Sequence, residues 1–171
     1  MNAERPDYPL NVWDRQWWKY LDVLGGAKRE EVPNATAVYD RLVQYAFAGD
    51  IEWECVLQAD SLDKAKRGLR LLFERMASEL TTSEQLKGLL TSMNSAAEQK
   101  GATGKFREAT GSGGEILENR ALGRHAARPL PSGWQDVLAS FADASFPVGG
   151  EYWARRILAA AQHASGPDLT R

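Results

Sequence analysis

A chain of 171 residues with 43% hydrophobic and 26% charged residues is long enough for one domain of ordinary size and too apolar for disorder. Its 21 Lys and Arg against 23 Asp and Glu leave a formal charge of -2, which lacks both the strong basicity of a dedicated nucleic-acid binder and the strong acidity of a DNA mimic. The one cysteine, Cys55, allows no intrachain disulfide, the first residues lack the basic-then-apolar pattern of a secretory leader, and no stretch approaches the roughly 20 apolar residues of a membrane span, so the expected setting is cytoplasmic and away from membranes.

In chain order, residues 1–10 read as an extended arm, because Pro6 and Pro9 block a helix. From Asn11 the pattern becomes helical, with Leu10, Trp13, Trp17, Leu21 and Leu24 at helical spacing and Gly25 and Gly26 as a stop. After the connector 27–34, a second stripe runs through Ala35, Val38, Tyr39, Leu42, Tyr45 and Ala46. Residues 50–59 alternate, Ile51, Trp53, Cys55 and Leu57 against Glu52, Glu54, Val56 and Gln58, which fits a half-buried strand; the residue types suit a helix as well.

The segment 61–80 gives the clearest helix, with Leu62, Ala65, Leu69, Leu72, Phe73, Met76 and Leu80 on one face. Gly68 beside that stripe suggests that another backbone passes close by. A further helix follows, with Thr82 or Ser83 as its cap and Leu86, Leu89, Leu90 and Met93 inside. Residues 101–133 break the periodicity with glycines and with Pro129 and Pro131. They read as a long loop excursion or as a hairpin around Gly111–Gly114 with arms within 103–122. Helices return at about 133–144, with Trp134, Val137, Leu138 and Phe141, and after Gly149, with Tyr152, Trp153, Ile157, Leu158 and Ala161. Residues 165–171 read as a frayed tail.

The expected fold is therefore mainly α: a single helical-bundle-like domain of five or six helices, with a small two- or three-stranded β element at 50–59 and 103–122 as its variable part.

Chemical motifs are sparse. His125 and His163 stand far apart, and the sequence holds no zinc-binding helix motif, paired cysteines or aspartate-rich calcium loop, so no metal or other cofactor is expected. Gly104-Lys105 is followed by Phe106 rather than Ser or Thr, which departs from the phosphate-binding loop. Glu98–Lys100 matches a nuclease fragment only at the end of a helix, where chance explains it. Cys55 sits in an apolar alternation and reads as a buried, inert thiol.

What remains is surface. Trp13 and Trp17 share the apolar stripe of the first helix, whereas Trp18 lies about 60° beyond Leu21. Either another segment covers Trp18 or it faces a partner. Lys64, Lys66, Arg67, Arg70 and Arg75 crowd one helix. Residues 100–128 carry Lys105, Arg107, Arg120, Arg124 and Arg128, expected as solvated cations on a flexible segment. Trp18 and these five cations are the candidate partner-binding residues. With no catalytic constellation in sight, the leading expectation is a non-enzymatic protein-interaction module: an adaptor, inhibitor, immunity factor or small subunit of a larger complex. The alternative is a nucleic-acid-binding accessory protein using the clusters at 64–75 and 100–128, and the third is an enzyme whose site only the fold reveals.

Overall fold

The computed structural model describes Val43, Phe47 and residues 62–98, 103–124, 127–144 and 148–169, with backbone alone at 62–65, 103–107 and 165–169. The described residues form five helices: α1 (Leu62–Glu79), α2 (Ser83–Glu98), α3 (Thr103–Leu122), α4 (Trp134–Ala142) and α5 (Gly149–Leu169). The mainly helical, bundle-like fold expected from the sequence is the one observed, and no strand occurs among the described residues. The alternation at 50–59, with Cys55, and the tryptophans Trp13, Trp17 and Trp18 lie outside the described residues.

The apolar stripes become the core. Leu69, Leu72, Phe73, Met76 and Leu80 of the α1 segment are buried against Leu86, Leu89, Leu90 and Met93 of α2. Leu138 of α4 and Trp153, Ala154 and Ile157 of α5 complete the cluster. The turn between α1 and α2 is a reciprocal cap. Thr82 Oγ1 accepts the Gln85 N–H at 3.1 Å. Gln85 Oε1 in turn accepts the N–H groups of Thr81 at 2.7 Å and Thr82 at 3.2 Å. This satisfies donors that the first turn of any helix leaves without partners. Of the two expected caps, Thr82 is the one used.

The largest departure from the sequence reading is α3. Residues 103–122 are one helix, neither loop nor hairpin arms, and only the stretch after it, with Gly123 at φ +66° and Leu130 buried, keeps loop character. The α3 stripe that meets the other helices is Ala109, Thr110, Gly113, Gly114, Leu117 and Arg120. Their spacing is helical, yet most are too small to register as an apolar face. Smallness is the function here. A Cβ on Gly113 would lie 3.0 Å from the Phe73 carbonyl oxygen, and one on Gly114 would fall inside the Trp153 ring. Low intrinsic helix propensity is thus offset by close helix–helix contact. The same device recurs where α5 meets α2, because Gly149 and Gly150 lie directly against the Met93 and Leu90 carbonyls. A second difference is at the C-terminus, where α5 runs through Pro167 to Leu169 rather than ending before the expected frayed tail.

Candidate functional site

The candidate cations separate into different environments. Arg120 is 4% exposed. Its guanidinium donates to four backbone carbonyls: Ala77 at 2.8 Å and Leu80 at 3.0 Å at the end of the α1 segment, and Arg128 and Pro129 at 3.0 Å each in the loop after α3. These are carbonyls that a helix end and an irregular loop leave without partners, and a cation there also opposes the negative end of the α1 dipole. Burial, followed by the neighbouring Arg128 cation, pushes the Arg120 pKa below its ordinary value. The expectation of a solvated Arg120 is thus overturned, because the side chain bolts two chain segments together from within.

Arg128 is exposed and donates to the Ser78 carbonyl at 2.6 Å, beside the Arg120 contacts. Arg124 is exposed, with a side-chain hydrogen bond to Asn119 Oδ1 at 3.3 Å. Lys105 and Arg107 fall on the first two turns of α3, at backbone level, and Trp18 lies outside the described residues. Two cations of the 64–75 cluster are engaged by carboxylates. Lys66 pairs with Glu108 of α3 at 2.7 Å, and Arg75 with Glu79 at 2.9 Å.

The structure brings together a different set of groups, on α5. Between Gly149 and Ala164, residues 149–151, 153, 154 and 157 are buried. The opposite side carries Tyr152, Arg155, Arg156, Ala159, Gln162 and His163, all exposed. At 100° per residue these six fall within one arc of about 120°. Tyr152 is 44% exposed and the one large hydrophobic residue exposed among those described.

Each arginine on this face is anchored from below. Arg155 pairs with Glu151 one turn earlier; the Arg155 side chain is 41% exposed and that of Glu151 0%. The other carboxylate oxygen, Glu151 Oε1, is buried with no hydrogen-bond partner. The Glu151 backbone N–H reaches Asn94 Oδ1 of α2 at 2.9 Å, which fixes the start of the helix. Arg156 approaches Glu118 of α3 at 3.5 Å, with side-chain exposures of 47% and 12%. It also donates to the Tyr152 hydroxyl at 3.2 Å and lies 4.9 Å from the Trp153 ring centroid. The hydrogen bond to Tyr152, then the Glu118 charge, raises the Arg156 pKa. Tyr152 meets Trp153 edge-on, with centroids 5.3 Å apart and planes at 83°.

The local sequence explains this assembly. Gly114 lets Trp153 lie against α3, and that close approach puts Arg156, three residues after Trp153, within reach of Glu118, four residues after Gly114. The periodicity of 149–164 was legible in the sequence. The cross-helix pairing was not, because it depends on α3 being a helix.

No grouping of three or more His, Cys, Asp or Glu suited to a metal ion occurs among the described residues, and none of their helices is long and apolar enough to cross a membrane. No family model, curated protein or solved structure matches this chain.

Proposed function

We propose that this chain is a protein-interaction module, an adaptor, inhibitor, immunity factor or small subunit of a larger assembly, and that it engages its partner through the outer face of α5. The observation that carries this reading is the anchored Tyr152–Arg156 pair. Tyrosine and arginine dominate the energetics of protein interfaces. A side chain already held in place loses less conformational entropy when a partner seats on it. Here the Tyr152 hydroxyl, the Trp153 ring and Glu118 hold Arg156 from three sides while half of it stays in solvent. The two basic clusters offered by the sequence are a weaker basis for phosphate binding, since Arg120 is buried in backbone contacts and Lys66 and Arg75 have carboxylate partners.

The test is capture from native extract of the source cells, with and without nuclease, using the wild-type chain and Tyr152→Ala. The expected result is one discrete protein, retained after nuclease and lost with Tyr152→Ala at an unchanged melting temperature. Capture that nuclease abolishes, or that Tyr152→Ala leaves intact, contradicts the reading.

A further inference from the structure

The charge on α5 is arranged in two layers. In both ion pairs the carboxylate is the inner member and the guanidinium the outer one: Glu151 at 0% beneath Arg155 at 41%, and Glu118 at 12% beneath Arg156 at 47%. Each pair is neutral as a sum, but as a layer it is oriented, with its positive side in water. On α5 itself no exposed carboxylate reverses that sign between Gly149 and Ala164. Between Gly149 and Ala164 the only carboxylate on α5 is Glu151, and it is buried. The outer face thus offers two guanidiniums, one phenol ring, the imidazole of His163, and Ala159 and Gln162.

Burying the carboxylates has a second consequence. An exposed Arg–Glu pair is free to reorganise, and the glutamate competes for the same guanidinium edge as an incoming carboxylate. The Glu151 side chain is wholly enclosed and that of Glu118 nearly so, which leaves close to half of each arginine side chain in water above its carboxylate. Glu151 holds this position even though its Oε1 is buried without a partner, which costs stability.

Building on the reading of the chain as a protein-interaction module, we infer that the partner presents an acidic segment to this face: Asp or Glu side chains to pair with Arg155 and Arg156, flanking an apolar or aromatic residue that packs on Tyr152. Guanidiniums accept carboxylates in two-point geometry, and the exposed phenol supplies amphipathic contact area between them.

Position 159 permits a test that leaves the anchoring intact. Ala159 is exposed, four residues after Arg155 and three after Arg156, on the same face. Ala159→Glu places a carboxylate over both guanidiniums, and Ala159→Lys adds a cation at the same spot; both residues are good helix formers. The full-length wild-type chain is used to select from a phage-displayed random peptide library, and recovered peptides are titrated by fluorescence polarisation against all three proteins. The expected outcome is enrichment of peptides combining Asp or Glu with an aromatic residue. Their affinity falls at least about tenfold with Ala159→Glu, is kept or improved with Ala159→Lys, and weakens as salt is raised. Thermal melts of the variants show that both remain folded. Selected peptides without acidic bias, or affinity equal across the three proteins, overturn the acidic-partner inference and leave the interaction-module reading standing. An empty selection alongside successful capture from extract overturns the inference in the same way. Failure of the module reading shows itself separately, as nuclease-sensitive capture.

Discussion

Arg120, Arg124 and Arg128 follow one another at four-residue spacing, and in sequence they look equivalent. In the structure Arg120 is almost fully enclosed and donates to Ala77, Leu80, Arg128 and Pro129, whereas Arg124 has one long contact at the surface. Removing Arg120 leaves several carbonyls without donors in places that water reaches poorly. Arg120→Ala therefore costs about 2–3 kcal/mol, as expected when hydrogen bonds to a charged group are lost. Arg120→Lys recovers only part of this, because an ammonium lacks the planar fork that reaches acceptors in two directions. Arg124→Ala stays within about 0.5 kcal/mol of wild type, as substitutions of solvated surface residues usually do. Urea denaturation of the three variants checks this, and equal costs at 120 and 124 would refute the division. Residue type alone cannot reveal the difference, because it is created by what the α1 end and the loop at 128–130 bring to the guanidinium.

At the scale of elements, α1, α2, α4 and α5 were legible because large apolar residues recur along them at helical spacing, from Leu69 to Leu80, Leu86 to Met93, Trp134 to Phe141 and Trp153 to Leu158. In α3 the contact stripe is written in Ala, Thr, Gly and Arg, with Leu117 as its one large apolar residue. The glycines that mark a turn when read locally are the points where Phe73 and Trp153 come closest. Packing overrides local propensity, and neither partner helix is visible from within the segment. The glycines of α3 differ in what surrounds them. Gly111 has open space where a side chain would stand, so Gly111→Ala stabilises the protein by about 0.5–1 kcal/mol through helix propensity. Gly114→Ala drives a methyl group into the Trp153 ring and destabilises by about 1–3 kcal/mol, the usual scale of overpacking. If residues 103–122 were loop or hairpin, the two substitutions would not split in sign. Paired chemical denaturation curves decide it.

At the level of the described molecule, all five helices contribute to one apolar cluster, α3 through Ala109 and Leu117, and α3 lies against α1 and α5 through Gly113 and Gly114. That arrangement puts Glu118 beneath Arg156, while Arg155 is held within α5 by Glu151, and the two arginines flank Tyr152 on one face. The helical fold was legible in the sequence, and the residues it singled out for a partner were Trp18 and the cations at 105–128. The α5 face was hidden because Glu118 and Arg156 are distant in sequence and meet only through the Gly114–Trp153 contact. The most direct measurement is site-specific photocrosslinking in extract of the source cells, with a benzophenone amino acid at position 152 on the α5 face and, as a control, at the exposed position 135 on α4. The expected result is a single discrete protein adduct at 152, none of that mass at 135, and competition by excess unlabelled wild-type chain. The same adduct at 135 but not at 152, or an adduct at 152 that nuclease removes, would contradict it.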